Sequence, residues 1–378
     1  MKLEHSKRII ISGGGTGGHI FPAISIANSI KNADKSAEIL FVGAKGKMEM
    51  EKIPIAGYKI IGLPVRGFQR KFTLKNIGVI YRLFISMIKA KKILKDFKPD
   101  IVVGVGGFAS GPILRAAVKK NIPTLIQEQN SYAGVTNRIL AKNVDRICVA
   151  YDGMERFFPE DKIVKTGNPV RQKLLNSSIK KEDGILFFEL EANKRTILAL
   201  GGSLGALTIN ESIAQNIEKI IDAKIQLIWQ TGKSYYPKAK EIVDKLNNPT
   251  IKVKDFISRM ELAYSVADVV ISRAGASTVS ELTLIKKPAI LVPSPNVAED
   301  HQTKNAMALI KNDAAMMITD KEARKLLVDE AIKLINDDYR LEVYRENIAK
   351  MGVKNSADII RNEIFKLIEA SKLEDLEF

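Results

Sequence analysis

One cysteine, one tryptophan and three histidines are all that the 378 residues hold of these types, and aromatics make up only 6%. A single cysteine, Cys148, excludes an internal disulfide and a cysteine-based metal site. Its apolar neighbours Ile147 and Val149 predict a buried, inert thiol, and the near absence of cysteine fits a cytosolic home. No stretch reaches the roughly 18 uninterrupted apolar residues of a membrane span. The polar start, Met1 to Arg8, runs directly into an apolar strand, so no signal peptide is expected. There is no Asp-x-Asp pair and no cluster of His, Asp and Glu with metal-ligand spacing, which disfavours a metal-dependent transferase. No metal and no cofactor are expected.

Glycine is abundant where it matters. Ser12-Gly13-Gly14-Gly15-Thr16-Gly17-Gly18-His19 follows the apolar run Ile9-Ile10-Ile11, and Gly201-Gly202-Ser203-Leu204-Gly205-Ala206 follows Ile197 to Leu200. Each reads as strand, tight loop and helix start, which aims backbone N–H groups and the positive end of a helix at one spot. The first loop formally matches the dinucleotide fingerprint. A nicotinamide site would also want an acid closing the second strand, and Phe41 to Lys45 holds none. The second loop formally matches the nucleophile elbow of hydrolases, with His301 downstream, but a hydrolase has no need of the first glycine loop.

A third glycine loop, Gly104 to Pro112, belongs on the same sheet edge as the first. Gln127-Glu128-Gln129-Asn130 ends an apolar strand, so Glu128 and Asn130 either enter the ligand crevice or cap the next helix. Ser272 to Glu281 is another strand-to-helix junction. Glu281 is expected in the first helical turn, where a carboxylate accepts two ribose hydroxyls or complements the helix dipole. Pro293 to Gln302 closes the next strand in a polar loop.

The chain alternates strands and helices, which predicts an α/β fold of two doubly wound domains. Strands are predicted at 8–12, 38–42, 100–105, 124–128 and 146–149, then at 197–200, 225–230, 251–253, 269–272, 289–292 and 315–318. Helices are predicted at 21–31, 76–95, 112–120 and 132–142, and the region 177–193 reads as loop or short helix. Asn168-Pro169 marks the joint. The expected domains are 1–169 and 170–354, with the last helix, within 355–378, crossing back onto the first.

The net charge is +16 and uneven: ten basic residues stand against one acid between Arg66 and Lys98. The helix 76–95 carries two apolar strips. One runs through Ile77, Ile80, Phe84 and Ile88, the other through Val79, Leu83, Met87 and Ala90. With one strip buried, the other is left among Arg82, Lys89, Lys92 and Lys95, which suits docking on an anionic membrane surface. Leu83 and Met87 are taken as the docking strip. No nucleic-acid motif is present, and nucleic acid is not an expected partner.

Seven motifs in order resemble one family. They are the first glycine loop with Thr16 and His19, the Gly106 to Pro112 loop, Glu128-Gln129-Asn130, Gly167-Asn168-Pro169-Val170-Arg171, the Ser203 loop, Thr278-Val279-Ser280-Glu281 and Asp300-His301-Gln302-x-x-Asn305-Ala306. Together they resemble the MurG family of peptidoglycan N-acetylglucosaminyltransferases over residues 8–320. The resemblance implies a GT-B fold of two Rossmann-like doubly wound domains facing a cleft, and no metal. It implies UDP-N-acetylglucosamine (UDP-GlcNAc) as donor and undecaprenyl-diphosphate-linked N-acetylmuramoyl (MurNAc) pentapeptide, lipid I, as acceptor. It also implies a peripheral position on the cytoplasmic face of the inner membrane. Another GT-B lipid glycosyltransferase and a nicotinamide oxidoreductase are the alternatives.

Carried over by motif, the donor site would use Thr16, Gly17, Gly18, Asn130, Arg171, Ser203, Ile257, Ala276, Ser277, Thr278, Val279, Ser280, Glu281 and Gln302. Glu281 would hold the ribose and the Ile257 backbone the uracil, while the first and third glycine loops would cradle the acceptor diphosphate. His19 is the first candidate for general base, since an imidazole titrates near neutral pH, and Glu128 the second. The chain departs from many members at Gln127, where they carry His, and at Leu204, where they carry Gln.

Overall fold

The computed structural model describes residues 6–65, 75–170, 174, 179–202 and 205–374. It consists of two compact units, Met1–Val170 with Val353–Phe378, and Arg171–Gly352.

The first unit runs β1 (Arg8–Ser12), α1 (Gly17–Ala33), β2 (Glu38–Ala44), α2 (Glu49–Ile55), β3 (Lys59–Leu63), α3 (Lys75–Phe97), β4 (Ile101–Gly104), α4 (Ser110–Val118), β5 (Thr124–Glu128), α5 (Val135–Leu140), β6 (Arg146–Val149) and β7 (Ile163–Lys165). The second runs α6 (Lys181–Phe188), β8 (Thr196–Leu200), α7 (Leu207–Asp222), β9 (Gln226–Gln230), α8 (Tyr236–Leu246), β10 (Ile251–Lys254), α9 (Met260–Val266), β11 (Val269–Ser272), α10 (Ala276–Ile285), β12 (Ala289–Leu291), α11 (His301–Ile310), β13 (Met316–Met317), α12 (Asp320–Ile335) and α13 (Asp338–Lys350). The last helix, α14 (Ser356–Glu374), returns to the first unit, where Ser29 donates to Asp358 at 2.6 Å.

Both sheets are parallel. Their orders are β3-β2-β1-β4-β5-β6-β7 and β10-β9-β8-β11-β12-β13. Chain order reverses at β1/β4 in one and at β8/β11 in the other, and folds of this kind bind ligands at the carboxyl ends of the strands beside such a reversal. Strand alternation sends Ile9 and Ile11 into a core with Ile26, Ile30 and Ile364, while Ile10 enters the opposite core with Ile93, Ile113 and Leu114. Such two-sided burial explains why the strands read as continuous apolar runs. Cys148 on β6 is fully buried, and burial pushes its thiol well above the ordinary range.

Several elements differ from expectation. β3 and β7 are extra strands: β3 mixes Lys59 and Gly62 into its five residues, and β7 is a three-residue edge. α2 was not expected either; it is seven residues long and includes Pro54. α1 begins at Gly17 rather than Phe21, because Thr16 takes the extended N-cap conformation and its carbonyl accepts the His19 and Ile20 amides. On α3 the strips are reversed except at Leu83, which is exposed at 39% as expected; the side chains of Ile77 and Ile80 lie outside the described residues. Val79, Ser86, Ala90, Ile93 and Leu94 are buried and Met87 packs against the core. Tyr81, Phe84 and Ile88 are exposed at 67%, 65% and 55%. Lys89 leaves the basic ring to donate to the Gly62 carbonyl at 2.8 Å. No described helix is long and apolar enough to cross a membrane.

Candidate active site

In the first unit the loops after β1 and β4 interlock. Gly107 has φ +87, and a Cβ there would lie 2.5 Å from the Gly14 carbonyl oxygen. Gly106 has φ +89, and a Cβ there would lie 2.8 Å from both Cδ2 and Nε2 of His19. Glycine is required at both by conformation and by space.

His19 is the third residue of α1 and is half-buried. Its Nδ1 stands 2.9 Å from the Gly14 carbonyl oxygen and 3.3 Å from Thr16 Oγ1. A carbonyl only accepts, so in the neutral ring Nδ1 carries the proton and Nε2 the lone pair. The tautomer is assigned from that bond. Gly17 and Gly18 supply the first helical N–H groups, and no acid lies in that turn.

Glu128 closes β5 and is buried. Oε1 accepts from the Asn130 amide at 3.0 Å and from Asn130 Nδ2 at 3.1 Å, while Oε2 accepts from the Gly134 amide at 3.0 Å and Asn137 Nδ2 at 2.8 Å. Gly134 is the N-cap of α5, so the carboxylate ties the loop to the start of the next helix. Gln127 donates to Asn168 Oδ1 at 2.8 Å, and Asn168 returns a bond to the Gln129 carbonyl at 2.8 Å. Gln127 is thus a buried strut between β5 and Asn168.

Glu49 was not expected. It is fully buried at the start of α2. It accepts from the Gly15 amide at 2.9 Å and from the Ala44 amide at 2.9 Å. A Cβ on Gly14 would lie 2.2 Å from its Oε1, and one on Gly43 2.6 Å from its Cγ. Glu49 follows the acid-free stretch Phe41 to Lys45, and its carboxylate is taken up by these backbone amides.

In the second unit, Gly201 donates to the Gln230 carbonyl at 2.8 Å, and a Cβ on Gly205 would lie 2.8 Å from the Thr231 carbonyl oxygen. The loop after β8 therefore rests on the end of β9. Asn210 braces this contact, donating to the Thr231 carbonyl and accepting from Trp229 Nε1. Ile257 is buried, and its amide donates to Gln230 Oε1 at 2.9 Å.

Ala276, Ser277, Thr278, Val279, Ser280 and Glu281 open α10, with Gly275 as extended N-cap. Glu281 is the sixth helical residue, so it lies in the second turn and not the first as expected. Its carboxylate is buried and accepts from Tyr264 Oη at 3.1 Å. Arg273 donates to the carbonyls of Val292 and Pro293 and pairs with Asp320, which accepts from Thr208. Gln302 Oε1 accepts from the Ser294 amide at 2.9 Å, and Asn305 Nδ2 donates to the Ala274 carbonyl at 3.3 Å. These bonds hold the loops after β11 and β12 in register with α7 and α11. Arg171 and Ser203 lie outside the described residues.

Residues 9–149 match the glycosyltransferase family 28 N-terminal domain, and residues 196–361 match the glycosyltransferase family 28 C-terminal domain. The chain belongs to glycosyltransferase family 28. It is a glycosyltransferase of GT-B fold, built from two Rossmann-like units. It is 58% identical to the UDP-N-acetylglucosamine--N-acetylmuramyl-(pentapeptide) pyrophosphoryl-undecaprenol N-acetylglucosamine transferase of Parabacteroides distasonis, over 96% of this chain and 98% of that one. The protein of the same name from Phocaeicola vulgatus is 56% identical over 99% of this chain and 100% of that one. A crystal structure of MurG from Acinetobacter baumannii matches with a TM-score of 0.75 and 27% identity, over 95% of this chain and 99% of that one. Family 28 membership removes the oxidoreductase and hydrolase readings of the two glycine loops.

Proposed function

We propose that this enzyme transfers N-acetylglucosamine from UDP-GlcNAc to the 4-hydroxyl of MurNAc in undecaprenyl-diphosphate-linked MurNAc-pentapeptide, converting lipid I to lipid II. The observation that carries this reading is 58% identity over 98% of a relative whose name states that donor, acceptor and transferred sugar.

The reaction is a single inverting displacement. The acceptor hydroxyl gives its proton to Nε2 of His19 as its oxygen attacks the anomeric carbon. The bond from that carbon to the β-phosphate oxygen breaks, and UDP leaves with the electron pair. The His19 tautomer supports the assignment, because Nδ1–H against Gly14 leaves the basic nitrogen at Nε2. Glu128 acts as a positioning residue for Asn130 and α5, since both of its oxygens serve that loop.

On the donor side, Glu281 takes the ribose hydroxyls and Gln302 holds the loop after β12. The first turn of α10, from Ala276 to Ser280, meets the UDP diphosphate with backbone N–H groups, joined by Ser203 and Arg171. The Ile257 amide serves Gln230, so the uracil contact there falls to the Ile257 carbonyl. Thr16, Gly17, Gly18 and Asn130 complete the donor set on the first unit. The enzyme meets the cytoplasmic leaflet through the exposed apolar strip of α3, ringed by Arg82, Lys91, Lys92 and Lys95.

The test is transfer of labelled GlcNAc from UDP-GlcNAc to a short-chain lipid I analogue. His19→Ala should lower kcat by roughly 10²–10⁴-fold and leave the KM for UDP-GlcNAc within about twofold. Absence of transfer by the wild-type enzyme would refute the function, and near-normal kcat in His19→Ala would refute the base.

A further inference from the structure

The carbonyl of Gly14 and the amide of Gly15 belong to one peptide group. On its oxygen side stands His19 Nδ1, at 2.9 Å. On its N–H side stands Glu49 Oε2, also at 2.9 Å. The three groups form a line: carboxylate, peptide, imidazole. We infer that Glu49 is a positioning residue for the reaction, acting on His19 through the Gly14–Gly15 peptide.

The geometry is constructed rather than incidental. Glu49 is fully buried, and its other oxygen is fixed by the Ala44 amide at 2.9 Å. Gly14 and Gly43 both lack the space for a side chain because this carboxylate fills it. A buried carboxylate without partners would be costly, and here backbone donors from two strand ends satisfy it.

The physical effect follows from hydrogen-bond polarisation. A negative charge accepting from the Gly15 N–H draws electron density toward the Gly14 oxygen. That oxygen then holds Nδ1–H more firmly, which fixes the ring and makes Nε2 more basic. A serine protease triad orients its imidazole with a direct carboxylate bond; here one peptide unit is interposed. Thr16, Gly14 and Gly106 are among the ring's neighbours, and Glu49 is the charge that the Gly14–Gly15 peptide links to it. The Gly15 amide is thereby spent on the protein's own anion. An acceptor diphosphate in this unit is then left the other amides of these loops, among them those of Gly17 and Gly18.

The inference rests on His19 as general base, and the test separates the two. The chain has three histidines, so their imidazole nitrogens can be resolved by ¹⁵N NMR in the intact protein. Wild-type His19 should be the Nδ1–H tautomer; an Nε2–H tautomer overturns the inference without any variant. Glu49→Gln should lower the His19 pKa by about 0.5–1 unit and move the acid limb of the pH–rate profile the same way. It should lower kcat about tenfold or more, with the KM for UDP-GlcNAc within about twofold. Glu49→Asp keeps the charge on a shorter arm and should recover part of kcat. An unmoved His19 pKa in a folded Glu49→Gln enzyme refutes the relay. If the pKa moves but His19→Ala retains turnover, the relay stands and the base assignment falls.

Discussion

Tyr264 on α9 donates its hydroxyl to the carboxylate of Glu281 on α10 at 3.1 Å, and both side chains are buried. The carboxylate that would receive a ribose is thus oriented before any ligand arrives. Pre-orientation of this kind removes an ordering cost from binding.

Tyr264→Phe should therefore raise the KM for UDP-GlcNAc about 3–10-fold, the net worth of one ordinary hydrogen bond, with a smaller change in kcat. Steady-state kinetics with varied donor decides it. An unchanged KM would mean that Tyr264 serves the packing of α9 alone.

Lys287 is mostly buried and donates to the Ala267 carbonyl, and burial lowers its pKa to about 8. The unfolded chain holds its proton up to about 10.5. Between those values the unfolded state binds the extra proton, so folding gains stability as pH rises from about 8 to about 10.5. The gap corresponds to about 3 kcal/mol. Lys287→Met, which carries no such charge, should gain stability relative to wild type at pH 7, and that advantage should shrink by pH 10. Paired thermal melts at the two pH values measure the difference; an advantage independent of pH would refute it.

The exposed strip of α3 gives a contrast between neighbours on one helix. Phe84→Ser with Ile88→Ser should weaken binding to phosphatidylglycerol vesicles about tenfold or more and spare turnover on a short-chain soluble acceptor. Met87→Ser should instead lower the melting temperature, because Met87 packs against the core. Co-sedimentation and calorimetry separate the two effects. Equal vesicle binding by the double variant would leave α3 without a membrane role.

What the sequence made legible was contiguous. β1 with its glycine loop and β8 with its own each occupy one unbroken stretch, so period and glycine content reveal them directly. Glu281 was identified as a residue but placed one turn too early, because the cap at Gly275 is set by backbone conformation and not by a capping side chain. The strips of α3 defeated periodicity for a related reason. Both are apolar, and only packing shows that Val79, Met87 and Ala90 turn inward while Leu83, Phe84 and Ile88 stay exposed. Glu49 was illegible because its function needs α2 to fold back onto Gly15, across 34 residues of sequence. Arg273 and Asp320, joined over 47 residues, were hidden in the same way.

The return of α14 bears on how the chain is made. Ile360, Ile364 and Ile368 fill the core that Ile9, Ile11, Ile26 and Ile30 begin. A ribosome delivers the amino-terminal part first, yet that part cannot seal its core until residues beyond 355 emerge. The second unit ends at Gly352, so all of its residues are synthesised before the first unit is complete. Until α14 is made, the apolar bed formed by Ile9, Ile11, Ile26 and Ile30 lacks its cover.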